Sequence, residues 1–345
     1  MQKPILGITM GDPAGIGPEV VVRSFAEKLP GTVIPVVIGS KEPLLDAMKA
    51  CGINVPLTVI DDAAINDGAA LDALYEGMYL IDLPLKHDFH NAALLKENGA
   101  ITLEYIFKAL ELLKEGKIAG LATGPSNKEA MHKAGLRSTG VTELLVHQAG
   151  IQEYSTVQIQ AGMYIFQMTT HLPLRKAIEE ITGEKIYSFT RYVDSTIKSL
   201  GIKSPRIGIS GLNPHAGDGG VLGDEEQLVF SAPVQKLRAE GINVSDPQPV
   251  DTLFLQGLRG TYDALVYLFH DTANTAIKTA AREFPPVVVT AGLPYVRTTV
   301  SHGTAYDIAY RGLADWKQFH EAIKTAINLC TKINNPALKG RGMLF

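Results

Sequence analysis

Residues 5–19 of this 345-residue chain read ILGITMGDPAGIGPE, and this stretch indicates the fold. The apolar run at residues 5–10 is typical of a buried strand, and the apolar spacing over residues 18–28 is typical of the helix that follows it. Further apolar runs predict strands at residues 32–38, 57–60, 78–81, 119–123, 155–161, 163–168, 206–210, 264–269 and 286–290. Apolar strands that alternate with helices predict an α/β fold whose mostly parallel sheet is covered on both faces.

The length of the chain predicts two lobes, because one hydrophobic core usually divides well below 345 residues. No internal repeat or low-complexity linker separates the lobes, so we expect strands to join them and one lobe to contain both chain ends. We predict a first lobe of residues 1–130 with 300–345 and a second lobe of residues 131–299.

Composition excludes several classes of protein. The chain is 46% hydrophobic and 20% charged, which is ordinary for a globular protein, and its net charge of −4 provides no basic surface for nucleic acid or anionic lipid. Cys51 and Cys330 match no metal or redox spacing, as expected for reduced thiols. The longest uncharged apolar stretch, residues 284–296, holds three prolines and is too short to span a membrane. We expect a cytoplasmic protein without nucleic-acid or membrane partners.

The loop at residues 11–19 follows the first predicted strand, where ligands gather in open α/β sheets. Its glycines allow a ligand close to the backbone, and Pro18 suits the first turn of a helix whose N-terminus attracts anions. The loop lacks the dinucleotide fingerprint, because Val20 stands where a glycine would follow. A structural turn in which Asp12 caps the helix is an equal alternative.

Three histidines, His171, His215 and His270, each come shortly after an apolar run. A single histidine at a strand end is usually a hydrogen-bonded structural residue. Three of them, one in a loop rich in glycine and proline and one beside Asp271, favour a shared divalent cation. Neutral imidazoles suit zinc, manganese or nickel, and a three-histidine set leaves positions open for substrate oxygen.

Candidate anion-binding residues lie beside other glycine-rich strand ends. Lys128 follows the sequence TGPSN at residues 123–127, and Lys278 and Arg297 flank the strand after His270. Arginine offers a planar fork to phosphate or carboxylate, whereas lysine acts as a point charge. We favour ligand contacts here over ordinary surface charges.

Five motifs together resemble the 4-hydroxythreonine-4-phosphate dehydrogenase family of vitamin B6 biosynthesis and its relatives that act on other hydroxy acids. They are GDPAGIGPE at 11–19, THLPLR at 170–175, NPHAG at 213–217, DTLF at 251–254 and HGTA at 302–305. The resemblance covers nearly the whole chain. It implies a two-lobed, three-layer α/β/α fold like that of isocitrate and isopropylmalate dehydrogenases, with the active site in the cleft between the lobes. It also implies a homodimer whose subunits share each site.

The resemblance further implies metal-dependent oxidation of a small hydroxy acid by NAD or NADP, followed by decarboxylation. The second lobe would carry the dimer contacts and the divalent metal (Zn, Mn, Mg, Co or Ni), which would bind the substrate hydroxyl while nicotinamide accepts the hydride. The metal ligands implied are His171, His215 and His270. The substrate contacts implied in the same lobe are Thr142, Lys278 and Arg297. The sequence does not fix the cofactor-binding residues or the general base, for which Asp251, Asp271 and Lys128 are candidates.

Two positions depart from the family pattern. The family motif Gly-His-Thr-Glu reads GVTE at residues 140–143, so Val141 replaces a substrate-contacting histidine, and Val288 replaces an asparagine. Residues 272–274 also differ from the family's Gln-Gly. A hydrogen bond to a charged group contributes about 1.5–3 kcal/mol, so two such losses predict a changed substrate. We expect another four-carbon acid phosphate or a cyclic dihydrodiol carboxylate as alternatives to the B6 intermediate.

Two other functions stay open on these residues. One is a metal-dependent acyl or phosphoryl transferase of related fold, which the histidine set and the Gly-Leu-Pro turn at residues 292–294 disfavour. The other is a metabolite-binding homologue without turnover, which Val141 and Val288 keep possible.

Overall fold

Strands and helices alternate along the chain, and the predicted α/β fold class is confirmed. The computed structural model describes residues 3–66, 71, 77–89, 94–152 and 154–333. The strands are, in chain order, β1 (Ile5–Thr9), β2 (Ile34–Gly39), β3 (Leu57–Ile60), β4 (Met78–Asp82), β5 (Gly120–Thr123), β6 (Ser155–Gln160), β7 (Met163–Thr169), β8 (Arg206–Ile209), β9 (Asn243–Val244), β10 (Ala264–Phe269), β11 (Val287–Ala291) and β12 (Val296–Thr299).

The helices follow most strands. They are α1 (Gly17–Ala26), α2 (Lys41–Cys51), α3 (Asp62–Asn66), α4 (Lys96–Lys114), α5 (Lys128–Lys133), α6 (Val141–Gln148), α7 (Leu174–Glu179), α8 (Gly183–Ser199), α9 (Ser231–Ala239), α10 (Val250–Leu258), α11 (His270–Ala280) and α12 (Lys317–Ile333). A wide helical turn at Glu226–Phe230 runs directly into α9. None of the helices in the described residues has both the length and the apolar character needed to cross a bilayer.

The chain divides into two compact units, residues 1–155 with 287–345 and residues 156–286. In the first unit the strand order is β3-β4-β2-β1-β5-β12-β11. Parallel pairing of β1 with β5 and of β5 with β12 aligns Thr9, Thr123 and Thr299 at one end of the sheet. The central strands are buried on both faces, with Leu6 and Ile8 fully buried, as their continuous apolar sequences require.

In the second unit the strand order is β6-β7-β10-β8-β9, with β6 antiparallel to β7 and the other pairs parallel. Its core packs Met163 and Ile165 of β7 against Leu265 and Tyr267 of β10 and against α10 and α11. Because Thr169 pairs with Phe269, β7 and β10 end side by side. The residues that follow these two strands therefore start from the same edge of the sheet.

The unit boundaries differ from the predicted lobe boundaries. Residues 131–155 and 287–299, which we placed in the second lobe, belong to the first unit. The reason is strand pairing: β12 pairs with β5, and β11 pairs antiparallel with β12. Arg297, which the sequence placed in a loop of the same lobe as His270, therefore lies on β12 of the first unit. β12 was not predicted, because its four residues contain only one strongly apolar side chain.

Candidate functional site

Arg297 is the most unusual side chain of the first unit, because it is a cation with only 3% of its surface exposed. Its Nη1 atom donates to the hydroxyls of Thr142 and Thr290, each at 3.1 Å. Its Nη2 atom donates to the hydroxyl of Thr123 at 2.9 Å. Three hydroxyls from β5, β11 and α6 thus fix the plane of the guanidinium.

Burial lowers the pKa of Arg297 to about 10, so the side chain is still a cation at neutral pH. Within the described residues no carboxylate lies within ion-pair distance of it, although Glu143 of the same cavity acts on it electrostatically, and its buried Nε lacks a hydrogen-bond partner. A buried charge without a directly paired counter-ion is costly, because water no longer solvates it. The arrangement fits a site that an anionic ligand completes.

A cavity of about 460 Å³ lies at Arg297 within the first unit, and we call it the arginine cavity. It is lined by residues 123–128, 140–143, 297 and 299–304. Lys128, exposed at the start of α5, and Val141, buried at the start of α6, are both in the lining. Val288 lies two residues before Thr290 on β11, hence on the same face of that strand. The structure therefore brings five predicted residues to this region: Lys128, Val141, Thr142 and Arg297, which line the cavity, and Val288.

His171 and His270 lie together in the second unit, with ring centroids 5.1 Å apart and ring planes tilted by 54°. They line a cavity of about 520 Å³, the histidine cavity, together with Asn213 and Asp271. His171 has a φ of 49°, a strained value for a residue with a side chain. His270 begins α11, and its Nδ1 lies 3.1 Å from a carboxylate oxygen of Asp271.

The third predicted metal ligand, His215, is exposed and is not part of the histidine cavity. Among the described residues of one chain, no group of three histidine, cysteine or acidic side chains is placed to hold a metal ion. Two imidazoles close together are nevertheless donors that suit zinc and similar metals. The three-histidine site therefore stays a prediction. Within one chain, two of the three histidines, His171 and His270, lie together.

The remaining candidates of the second unit are more exposed. Asp271 has a 99% exposed side chain. Asp251, also exposed, lines an apolar hollow of about 570 Å³ between α10 and α11. Lys278 is exposed on α11, two turns after His270. Of the three, only Asp271 lies beside the histidine pair, and none of these placements assigns a role.

The loop at residues 11–19 is hydrogen-bonded to a segment that lines the arginine cavity. One carboxylate oxygen of buried Asp12 accepts from the backbone N–H of Ala14 at 2.9 Å, and the other accepts from the Tyr306 hydroxyl at 2.6 Å. The N–H of Ile16 donates to the carbonyl of Thr304 at 2.9 Å. Asp12 thus closes a turn rather than capping α1, and the loop anchors the segment that lines the cavity. The contacts of this loop are those of the structural-turn alternative, except that Asp12 does not cap the helix.

Sequence reasoning missed two of the three residues that hold Arg297. Thr123 and Thr290 were read only as parts of strand ends, because a threonine on a strand carries no signal of its own. The spacing of 174 residues between Thr123 and Arg297 hides their contact in the sequence. The burial of Arg297 could not be predicted from the sequence, because it depends on the pairing of the strand that carries this residue.

The chain was compared with known families and proteins. The family described as pyridoxal phosphate biosynthetic protein PdxA matches residues 32–326. This chain belongs to the PdxA family. The predicted family resemblance is thereby confirmed.

Individual members of the PdxA family match almost end to end. The D-threonate 4-phosphate dehydrogenase of Cupriavidus necator is 36% identical, over 95% of this chain and 98% of its own length. That of Pectobacterium atrosepticum is 35% identical, over 94% and 99%. A crystal structure of a 4-hydroxythreonine-4-phosphate dehydrogenase from Burkholderia phymatum is 35% identical with a TM-score of 0.75, over 95% and 98%. The predicted enzyme class is confirmed: this PdxA-family protein is a dehydrogenase.

Proposed function

We propose that this dehydrogenase oxidises a four-carbon hydroxy acid 4-phosphate, with D-threonate 4-phosphate as the first candidate. The observation that carries the proposal is the buried Arg297 cation, which lines a cavity and has no carboxylate within ion-pair distance among the described residues. The names of the relatives from Cupriavidus necator and Pectobacterium atrosepticum support the choice of substrate.

The reaction follows from the position of the hydroxyl. Oxidation of the alcohol at C3 breaks its C–H and O–H bonds and leaves a ketone β to the carboxylate. Such a keto acid loses carbon dioxide and leaves a three-carbon hydroxyketone phosphate. When bound, NAD or NADP supplies the hydride acceptor, and a divalent metal supplies positive charge beside the reacting oxygens.

Arg297 would hold an anionic group of the substrate. The hydroxyls of Thr123, Thr142 and Thr290 fix its guanidinium before any ligand arrives, so little side-chain entropy is lost on binding. A planar, pre-oriented fork suits bidentate contact with phosphate or carboxylate. Lys278 is proposed as a second contact through its charge alone.

Lys128 is our candidate for the group that takes the hydroxyl proton. Its side chain is exposed, but it lines the arginine cavity together with Arg297. Asp271 and Asp251 remain alternatives; both are exposed residues of the second unit and do not line this cavity. A base must lie within hydrogen-bond reach of the proton that it abstracts, which favours the residue beside the proposed anion contact.

The metal would be held by His171 and His270, with His215 as the third ligand from the partner subunit of a homodimer. Support comes from exposed apolar side chains on the segments that carry the histidines: Leu174, which lines the histidine cavity, is 62% exposed, and Val221, in the loop of His215, is 79% exposed. Exposed apolar surface of this kind marks association sites in soluble proteins. A second copy of the chain that covers it would bring another His215 to the histidine cavity.

Val141 and Val288 would adapt the site to a substrate with fewer polar groups to satisfy. D-threonate 4-phosphate carries a hydroxyl at C2 where 4-hydroxythreonine 4-phosphate carries an ammonium group. The valine side chain cannot hydrogen-bond to the hydroxyl or to the ammonium group. A site with two valines therefore favours the ammonium-bearing substrate less than a site with histidine and asparagine would. We therefore propose that the B6 intermediate is the poorer substrate.

The test is an assay of NAD(P)H formation and carbon dioxide release with added zinc, manganese or magnesium. Substrates are D-threonate 4-phosphate, 4-hydroxythreonine 4-phosphate and a cyclic dihydrodiol carboxylate, with unphosphorylated D-threonate as the matched control. We expect the highest kcat/KM for D-threonate 4-phosphate and little turnover of the control. Equal turnover of D-threonate and its phosphate would overturn the proposal, as would NAD(P)H formation with the dihydrodiol alone.

A further inference from the structure

The loop that carries His215, residues 211–223, has an unusual backbone. Five consecutive residues, 215–219, have positive φ values between 44° and 79°. Three of them, His215, Ala216 and Asp218, have side chains and are disfavoured in this left-handed conformation. A run of such residues persists only where its surroundings hold it.

The carboxylate of Glu226 is the main internal contact of this loop. Its Oε1 atom accepts from the backbone N–H groups of Leu212 and Asn213, each at 2.8 Å. Its Oε2 atom accepts from the side-chain amide of Asn213 at 2.9 Å. Glu226 thus binds the loop just before the left-handed run, two and three residues ahead of His215.

The loop is also shaped around this carboxylate. A Cβ atom at Gly217 would lie 2.8 Å from Oε2 of Glu226 and from the carbonyl oxygen of Gly223, and the φ of Gly217 is 79°, so glycine is needed there. A Cβ atom at Gly211 would lie 3.1 Å from Oε1, which is a tight contact. The backbone therefore approaches Glu226 from both ends of the turn.

The carboxylate is buried, with 9% of Glu226 exposed, yet it is held in the charged form. Burial acts to raise its pKa, but the N–H and amide donors outweigh burial and lower the pKa below its usual value. Hydrogen bonds to an ionised acceptor are stronger than those to a neutral one. The contact between Glu226 and the loop therefore contributes charge-assisted hydrogen bonds as well as packing.

We propose that Glu226 is a positioning residue that fixes the His215 imidazole for metal binding by holding the backbone of residues 212–213. Glu226 itself does not line the histidine cavity, but it binds Leu212 and Asn213, which do, so it acts through the loop. The metal part of this inference rests on the proposed role of His215, whereas the loop-holding part does not. Partners that orient a metal ligand typically change metal affinity by about 10–100-fold when they are removed.

The experiment compares Glu226→Gln with Asp224→Asn in the full chain. Asp224 is the matched control, because it is an exposed carboxylate of the same acidic run and does not line the histidine cavity. Zinc affinity is measured by chelator competition on metal-free protein, and amide hydrogen exchange is followed at residues 212 and 213. We expect Glu226→Gln to weaken zinc binding at least about tenfold and to speed exchange at both amides. Asp224→Asn should stay close to the natural protein in both measurements.

The possible outcomes test the loop-holding part and the metal-binding part of the inference separately. Equal zinc affinity and equal exchange in Glu226→Gln would overturn the inference. If His215→Ala binds zinc as tightly as the natural protein, the proposed metal site fails, while the exchange data still judge the loop. Should Glu226→Gln fold poorly, exchange in the natural metal-free protein decides: unprotected amides at 212 and 213 would refute the anchor.

Discussion

Arg297 on β12 and Thr123 on β5 are joined by a 2.9 Å hydrogen bond from Nη2 to the threonine hydroxyl. The two strands are neighbours and parallel, so the pairing of Arg297 with Leu121 sets the distance between these side chains. The cation is therefore held by the sheet itself. A site built on paired strands is more rigid than one on a loop.

The first prediction concerns the hydroxyls that hold Arg297. Thr290→Val keeps the shape of the side chain and removes one hydrogen bond to the guanidinium. A hydrogen bond to a charged group contributes about 1.5–3 kcal/mol, so we expect the KM for the phosphorylated substrate to rise roughly tenfold. Steady-state kinetics measure this, and Thr290→Ser, which keeps the hydroxyl, is the control. A KM that changes equally in both variants would mean that only packing matters.

The second prediction concerns the guanidinium fork. Arg297→Lys retains the positive charge but cannot reach Thr123, Thr142 and Thr290 together, because an ammonium group has no fixed plane. We expect substrate binding to weaken and kcat/KM to fall by at least about tenfold. Equal kinetics for the two proteins would show that bidentate geometry has no part in binding.

The third prediction concerns the metal. Alanine in place of His171, His215 or His270 should each lower the metal content of the purified protein and abolish metal-dependent turnover. Elemental analysis and circular dichroism together separate loss of metal from loss of fold. His147→Ala, at an exposed position of the first unit, serves as the control. Unchanged metal content in all three variants would reject the assignment.

The fourth prediction concerns specificity. Restoring the family residues with the double substitution Val141→His and Val288→Asn should raise kcat/KM for 4-hydroxythreonine 4-phosphate. The reason is that a polar group in the pocket rewards a matching polar group on the substrate. The comparison uses the natural and the doubly substituted protein with the same substrate. Efficient turnover by the natural protein would return this enzyme to vitamin B6 synthesis.

The fifth prediction concerns pH. Burial raises the pKa of Asp12, and the hydrogen bond from the Tyr306 hydroxyl opposes this shift. A carboxyl whose pKa is higher in the folded than in the unfolded state makes folding more favourable as the pH falls. Tyr306→Phe raises that pKa further, so its free energy of unfolding should drop by about 1.5–3 kcal/mol near neutral pH. Thermal unfolding should show this loss shrinking as the pH falls toward the acid range.

Much of the fold could be predicted because its signals are local. The residues of β3 and β10 coincide with the predicted ranges, because a continuous apolar run is a signal contained within a few neighbouring residues. β12 was missed, because its short polar sequence forms a strand only through its neighbours β5 and β11. The lobe boundary failed for the same reason.

The same difference between local signals and long-range contacts applies to the candidate site residues. Sequence motifs indicated Arg297 and the histidines, but not that Arg297 is almost fully buried. Glu226 stands in the acidic run DEE at residues 224–226, which reads as solvated surface. Its contacts with residues 212 and 213 could be found only in the folded chain.

The sequence by itself determined the α/β class, the family and the dehydrogenase activity, because these rest on contiguous motifs and on local apolar patterns. Tertiary structure alone decided which unit holds Arg297, which hydroxyls fix it and which carboxylate holds the His215 loop. The physical reason is distance along the chain. Thr123 and Arg297 are 174 residues apart, and only the pairing of β5 with β12 places them in contact.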